Sequence, residues 1–140
     1  GAEIGGHPLS GHVDGVGTLI ERRVLDNNLV WRIAAPPALR PYLFAKGYVA
    51  IHGASLTLAD VQREEGWFEI WLIPETRRAT VFEQVQVGDP LNIEIERSTQ
   101  VLVDTVRETV QAHLRDYLRE HLQELLAAGL PERGAAPPRA

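Results

Sequence analysis

The sequence predicts a mainly β domain, either a small barrel or a sandwich, followed by one long C-terminal α-helix. From about Gly5 to Glu96, short apolar or alternating segments are separated by Gly, Pro and Asn, which is typical of a small all-β fold. From Thr99 onward, apolar residues recur at steps of three and four, which is the period of an amphipathic helix. The 140 residues suffice for one hydrophobic core.

The first two strands are predicted at 12–23 and 28–35. "HVDGVGTLIERR" alternates apolar and polar residues with glycine kinks, and "NLVWRIAA" follows the polar turn at 26–28. A short helix is expected next in "PPALRPYLFAKG", because Pro37 suits a first helical turn and Gly47 suits its end.

Three further segments complete the predicted β domain. "YVAIHGASLTLADVQ" is predicted as two strands, or as one strand bent at Gly53. "GWFEIWLIP" is rich in β-branched and aromatic residues and is stopped by Pro74. "VGDPLNIEIE" is predicted as a turn followed by a strand in which Leu91, Ile93 and Ile95 alternate with polar residues.

The C-terminal helix is predicted from Thr99 to about Ala128. Ser98 or Thr99 is the expected N-cap, and Gly129 with Pro131 ends the helix. Its apolar stripe is formed by Val106, Val110, Leu114, Leu118, Leu122 and Leu125.

This stripe predicts a homo-oligomer. Val106 and Val110 can lie on the barrel, but Leu118, Leu122 and Leu125 lie beyond the reach of a barrel of this size and would face water in a monomer. Four-residue steps drift from a strict heptad, so the helix alone leaves dimer and trimer open. The other interpretation is a helix folded back along its own barrel.

The composition excludes several classes of protein. The net charge of -5, without a dense basic stripe, argues against a nucleic-acid partner. The chain has no Cys, which excludes disulfides, thiolate nucleophiles and cysteine-ligated zinc. Without a signal peptide or an apolar run of the ~20 residues that span a bilayer, we expect a cytoplasmic protein with no membrane partner.

The stretch "GGHPLSGHVDG", from Gly5 to Gly15, is open to three interpretations. As a zinc site it places His7 and His12 five residues apart near Asp14, which is not the spacing of a helical histidine pair. As a phosphate loop it lacks the Gly-Lys-Ser/Thr ending. The spacing favours the third interpretation, in which the glycines permit bends and the histidines satisfy backbone groups.

Two other stretches carry polar groups in patterns that suit a ligand. In "KGYVAIHGASLTL", Ser55 and Thr57 lie two apart, so on a strand they face the same side; if that side is inward, a polar ligand can supply their partners. The alternative is a strand with both hydroxyls at a sheet edge, and the Gly-x-Ser-x-Gly pattern is absent. "IPETRRAT" offers an acceptor, hydroxyl groups and two cations in one turn, which by itself is typical of a solvated loop.

Taken together, these stretches resemble the lumazine-binding domain of riboflavin synthase. The matching blocks are "EIGGHPLSGHVDGVG", "KGYVAIHGASLTL", "FEIWLIPETRRAT" and "VGDPLNIEIE", in register from Glu3 to about Val110. The resemblance implies a six-stranded Greek-key β-barrel at 1–97, the second of two tandem barrels. It also implies a C-terminal helix at 98–129 that assembles a homotrimer.

The two ends of the chain carry further expectations. The Pro/Ala-rich tail at 130–140 is expected to be disordered. The chain has no Met and lacks the first-barrel opening of the family, so we expect a processed chain or an excised piece of a longer one.

The resemblance also implies a reaction. Two molecules of 6,7-dimethyl-8-ribityllumazine dismutate, one donating a four-carbon unit to the other, to give riboflavin and 5-amino-6-ribitylamino-pyrimidinedione. The family needs no metal or other cofactor. Its active site lies between barrels of neighbouring subunits, so ligand binding is expected of this chain and full turnover is not. The alternatives are a non-catalytic lumazine- or flavin-binding module, and an inert barrel whose helix drives oligomerisation.

The resemblance assigns site residues from all of these blocks. His12 is the expected proton carrier for the 7-methyl group, Ser55 or Thr57 orients a water or hydroxide, and Glu96 stands where the family more often has Asp. A strand-end residue in a salt bridge is the other interpretation of Glu96. The implied substrate-binding residues are Gly11, His12, Val13, Lys46, Ser55, Leu56, Thr57, Ile73, Pro74, Glu75, Thr76, Arg77 and Arg78.

Overall fold

A computed structural model describes residues 9–73 and 81–129 of the chain. The described part contains six β-strands, two short 3₁₀-helices and one long α-helix. In chain order they are β1 (Gly15–Leu25), β2 (Asn28–Ala34), a 3₁₀-helix (Pro37–Tyr42), β3 (Tyr48–Ile51), β4 (Ala54–Gln62), β5 (Trp67–Leu72), a second 3₁₀-helix (Val81–Gln84), β6 (Pro90–Ile95) and α1 (Arg97–Ala127).

The six strands close into one antiparallel barrel in the order β1-β2-β5-β4-β3-β6. Strands β3, β4 and β5 are consecutive neighbours, and β6 returns after a long connection to lie beside β3, which makes a Greek key. The structure therefore confirms the predicted barrel and the helix that follows it. Closure also decides between the barrel and the sandwich that the strand spacing left open.

Two hairpins set the register of neighbouring strands. Asp26 and Asn27 join β1 to β2, and His52 and Gly53 join β3 to β4. All four residues have positive φ, between 47° and 81°, as a two-residue type I′ hairpin requires at both positions. The segment around Gly53 is thus two strands, one of the two alternatives that the sequence left open.

The barrel interior is filled by side chains that alternate along each strand. In β6 the predicted inward residues Leu91, Ile93 and Ile95 are all buried, while Asn92 lies outside. Trp31 and Phe82 are fully buried and meet edge to face, with ring centroids 5.2 Å apart. Phe82 belongs to the second 3₁₀-helix, an element that the sequence pattern did not predict.

Two local predictions were wrong. The short helix after β2 is a 3₁₀-helix that ends at Tyr42 rather than near Gly47, and Pro41 within it removes a backbone donor. Helix α1 begins at Arg97, so its N-cap is Glu96 and not Ser98 or Thr99: Gln100 N donates the first helical bond to Glu96 O, at 3.1 Å.

Helix α1 runs for 31 residues, and none of them is buried. It ends at Gly129, whose φ of 86° is the left-handed conformation common after helices. Its exposed apolar residues include Leu114, Leu118 and Leu122. In the described part of the chain, this helix lacks the apolar length that crossing a bilayer would need. The chain divides into two compact units between Val103 and Asp104.

Candidate functional site

A short segment that precedes β1 carries the first block of predicted site residues. Gly11, His12 and Val13 are all exposed. On one side of them, Asp14 N donates to Ile93 O at 2.8 Å, and Ile95 N donates to Asp14 Oδ2 at 2.7 Å. Asp14, which directly follows the three predicted ligand-contacting residues, therefore bonds the segment to the backbone of β6.

The other side of the same segment is held by a buried carboxylate. Glu94 is 8% exposed, and its Oε1 accepts hydrogen bonds from Ser10 N at 2.5 Å and from Ser10 Oγ at 2.9 Å. Ser10 Oγ in turn accepts a bond from His12 N at 3.2 Å. A charged acceptor on β6 is thus linked through one hydroxyl group to the backbone of His12.

Strands β6, β3 and β4 place three residues in a row beside this segment. Ala50 pairs with Glu94 on one side and with Ser55 on the other. Directly opposed residues on antiparallel strands lie about 4.5–5.5 Å apart at Cα, so the polar side chains of Glu94 and Ser55 flank the small methyl group of Ala50.

A cavity of about 260 Å³ lies beside Ala50 and Glu94 of this row. Gly11 and Val13 form one wall, and the polar groups are supplied by β6 and the β3–β4 hairpin. Its lining comprises Gly11, Val13, Ala50, His52, Gly53, Asn92 and Glu94. Two of the predicted substrate-binding residues therefore line a cavity with residues that the sequence did not single out.

The second block lies on β4 and in the turn before β3. Ser55 and Thr57 share one side of β4, as predicted, but Leu56 and Leu58 fill the interior, so both hydroxyl groups lie on the outside of the barrel. The interior position considered for them is wrong, because an all-apolar core leaves no place for unpaired hydroxyl groups. The predicted ligand residue Leu56 is itself buried in the core.

Lys46 lies close to Thr57 through the backbone. Lys46 N donates to Leu58 O at 2.8 Å, and Leu58 N donates to Gly47 O at 2.9 Å. The Lys46 backbone has a φ of 69°, in the left-handed region, and its side chain is exposed. The turn that holds the only lysine of the chain is thus hydrogen-bonded to Leu58, the residue that follows Thr57 on β4.

The third block begins at the end of β5. Ile73 follows the last residue of β5 and is 52% exposed. Strand β5 runs antiparallel to β4 from the Leu58–Ile70 pair, so its end leads toward the side of the barrel where Ser55 lies. The other predicted residues of this block, Pro74, Glu75, Thr76, Arg77 and Arg78, lie outside the described residues.

Glu96 is engaged by the helix that follows it. Its carboxylate accepts bonds from Thr99 N and Thr99 Oγ1, each at 2.8 Å, and from Ser98 N at 3.1 Å and Ser98 Oγ at 2.6 Å. Burial alone would raise the pKa of Glu96, but these bonds outweigh it and lower the pKa to about 2. The residue is an ionised helix cap, rather than the salt-bridged strand end considered from the sequence. Its predicted catalytic role stays a prediction.

Sequence reasoning missed Glu94, Ser10 and His52. The alternation of β6 carried a usable signal for Glu94, because a carboxylate between two inward-facing isoleucines must lie on the outer face, where the neighbouring segment covers it. No comparable pattern indicated Ser10, whose partner is 84 residues away in the chain. Ser55 and Thr57 lie on the outer face of β4, and exposed His12 lies in the segment that is bonded to β6, but none of the three lines the cavity.

Comparison with known proteins identifies a family from the sequence and a shared fold from the structure. A sequence profile of the lumazine binding domain matches residues 10–96. A riboflavin synthase of Chlamydia muridarum is 44% identical over 106 residues, covering 76% of this chain and 50% of the relative. A riboflavin synthase of Buchnera aphidicola subsp. Schizaphis graminum is 37% identical over 112 residues, covering 79% of this chain and 53% of the relative.

A solved structure, "LumP complexed with 6,7-dimethyl-8-(1'-D-ribityl) lumazine", shares the fold. It has a TM-score of 0.60 at 20% identity, covering 66% of this chain and 51% of that chain. The chain spans about half the length of the curated relatives it matches.

Proposed function

The chain belongs to the lumazine-binding domain family, and on that premise we propose that it is the C-terminal, lumazine-binding half of a riboflavin synthase. The observation that carries the proposal is the profile match over residues 10–96. The fold adds support, because Glu94, which is bonded to the His12 segment, and Ser55 both pair with Ala50, although His12 and Ser55 are 43 positions apart in the chain.

The proposed ligands are 6,7-dimethyl-8-ribityllumazine and riboflavin. A flat polar heterocycle suits a site with open backbone near Gly11, an exposed apolar side chain at Ile73 and hydroxyl groups at Ser55 and Thr57. The proposed reaction transfers a four-carbon unit between two lumazine molecules, which yields riboflavin and 5-amino-6-ribitylamino-pyrimidinedione.

The residues of this chain take limited parts in that reaction. The exposed imidazole of His12 removes a proton from the 7-methyl group of the bound lumazine. The hydroxyl of Ser55 or Thr57 orients a water or hydroxide toward the acceptor ring. Glu96 is the weaker candidate for a catalytic group, because a carboxylate with a pKa of about 2 is a poor proton acceptor near pH 7.

The test separates binding from chemistry at His12. In an assembly that turns over, His12→Gln should lower the rate of flavin formation by ~10²–10⁴, as for positioned acid–base groups, while the lumazine dissociation constant changes less than threefold. Flavin absorbance measures the rate, and quenching of lumazine fluorescence measures binding. Equal losses in rate and binding would reduce His12 to a wall of the pocket.

A second candidate function is a non-catalytic lumazine- or flavin-binding module. This candidate is supported by the structural neighbour LumP, which is complexed with 6,7-dimethyl-8-(1'-D-ribityl) lumazine. The two candidates differ in one assay: a binding module quenches lumazine fluorescence but forms no flavin, even when it is assembled with a first barrel of the family. Absence of both signals would favour an inert barrel.

We also propose that helix α1 mediates a homo-oligomer, with a trimer favoured by the family. The argument is the exposure of large apolar side chains along it, of which Leu114 is 56%, Leu118 42% and Leu122 51% exposed. Burying each contributes roughly 1.5–3 kcal/mol. Light scattering at micromolar concentration should give a multiple of 15.5 kDa, and the double variant Leu118→Glu, Leu122→Glu should give the monomer mass. A monomeric mass for the unaltered chain would refute this.

A further inference from the structure

We propose that Glu94 and Ser10 are positioning residues that, together with Asp14, clamp the His12 segment onto β6 at both ends and so hold the backbone of Gly11, His12 and Val13 in the conformation that binds the ligand. The inference rests on the proposed function for the ligand, but the clamp itself is a property of the described residues. Nothing in the sequence pattern of the site residues pointed to it.

The first half of the clamp is a relay whose direction is fixed by chemistry. Glu94 Oε1, as a carboxylate oxygen, only accepts, so the single hydroxyl hydrogen of Ser10 is directed to it at 2.9 Å. That leaves the lone pairs of Ser10 Oγ to accept from His12 N at 3.2 Å. Ser10 N donates to the same Glu94 oxygen, which fixes the Ser10 backbone as well.

The second half of the clamp lies four residues further along. The Asp14 carboxylate accepts from Ile95 N, and Asp14 N donates to Ile93 O. Glu94 lies between these two isoleucines, so three consecutive residues of β6 hold both ends of the segment. Charge-assisted bonds of this kind are shorter and about twice as strong as neutral ones.

Between its two anchors, the segment is exposed in the part of the chain that the structure describes. Gly11 has a φ of 80°, and a Cβ placed there would meet none of the described atoms within 4 Å. His12 and Val13 are exposed, with Val13 at 56%. The conformation of this stretch therefore depends on its ends, and loosening either end releases His12 before it disturbs the barrel core.

The experiment compares ligand affinity with barrel stability in a set of matched variants of the full chain. Ser10→Ala removes the relay hydroxyl group at an exposed position, Ser10→Thr restores it, and Glu94→Gln keeps the shape while removing the charge. Glu69→Gln is the control, because Glu69 is an equally buried carboxylate of the same barrel, 6% exposed, but pairs with Arg23 at 2.7 Å on another face.

Ser10→Ala should weaken binding of 6,7-dimethyl-8-ribityllumazine by about tenfold, the size of one hydrogen bond, with thermal stability nearly unchanged. The affinity of Ser10→Thr should be within about twofold of that of the unaltered chain. The affinity of Glu94→Gln should lie between those of Ser10→Ala and Ser10→Thr. The control Glu69→Gln should lower the melting temperature without changing the dissociation constant. Affinity that tracks the melting temperature through the whole set, the control included, would overturn the proposal.

A second readout keeps the clamp testable without any ligand. In nuclear magnetic resonance spectra, Ser10→Ala should shift the amide resonances of Gly11, His12 and Val13 and speed the exchange of the His12 amide hydrogen, while resonances of β2 and β5 stay in place. Unchanged exchange at His12 would overturn the clamp. Failure of the unaltered chain to bind the lumazine, with faster exchange still seen, would overturn the proposed function and leave the clamp supported.

Discussion

Replacing the helix cap should produce a loss of stability that depends on pH in a defined way. Glu96 caps α1 with a carboxylate that accepts bonds from Ser98 and Thr99, and its pKa is lowered from 4.5 to about 2. A group whose pKa is lower in the folded chain stabilises the fold above its unfolded pKa and loses that effect as pH falls. The contribution of Glu96 is therefore complete above about pH 5 and disappears toward pH 2.

The lowered pKa of Glu96 and the usual cost of removing a helix N-cap both limit the size of this contribution. A fall in pKa from 4.5 to about 2 corresponds to at most about 3 kcal/mol, at about 1.36 kcal/mol per tenfold change in proton affinity. Because Glu96 is partly exposed, solvent screening reduces that limit. Replacement of N-cap residues by Ala costs about 0.5–2 kcal/mol, typically ~1. We therefore expect Glu96→Ala to lower the free energy of unfolding by about 1–2 kcal/mol at pH 7.

Urea unfolding followed by far-ultraviolet circular dichroism measures the effect, because α1 is the long helix of the described residues. Glu96→Ala should differ from the unaltered chain by the full amount at pH 7 and by much less at pH 2.5. Glu96→Asp is the matched control, since Asp is a strong cap with the same charge, and it should retain most of the stability. A loss for Glu96→Ala that is the same size at pH 7 and pH 2.5 would refute the role of the ionised cap.

Two further substitutions test the barrel and the site. Gly17→Ala should destabilise the chain by about 1–3 kcal/mol in thermal unfolding, because the new Cβ would lie 2.8 Å from Ala34 O and 2.7 Å from Ile93 Cδ1. Val16→Ala, at an exposed neighbouring position, is the control. An unchanged melting temperature for Gly17→Ala would contradict this packing. Thr57→Val should weaken lumazine binding by about 1–2 kcal/mol, near tenfold, because a hydroxyl group is lost at similar volume; an unchanged dissociation constant would remove Thr57 from the site.

The fold was predictable because its signals are local. The I′ hairpin at Asp26 and Asn27, the alternation of β6 and the three- and four-residue period of α1 each appear within about a dozen residues. Closure of the strands into a barrel is not a local property, so strand spacing alone left barrel and sandwich open. The second 3₁₀-helix, at Val81–Gln84, was missed because four residues are too few to show a period.

The helix start shows a different limit. Ser98 and Thr99 have the right chemistry for an N-cap, yet both donate to Glu96, which lies two and three positions before them. Capping preferences rank Ser and Thr well above Glu, so the pattern favoured the wrong residue. The strand end at Ile95 fixes where the helix can begin, and that position depends on the pairing of β6 with β3.

The candidate site could be proposed from the sequence only where its residues carry their own chemistry. His12, Ser55 and Thr57 are candidates because of their own imidazole and hydroxyl groups. Ser10 instead donates a hydrogen bond to Glu94, 84 positions away, and accepts one from the backbone of His12. A side chain that supports another one leaves no spacing pattern in a single sequence, because the contact is made by the closure of β6 against β3 and β1. The same closure that fills the core with Ile93 and Ile95 must place Glu94 on the outer face, where its buried carboxylate accepts bonds from Ser10 N and Ser10 Oγ. In this barrel, therefore, the candidate site segment and the carboxylate of Glu94 are held by the same bonds.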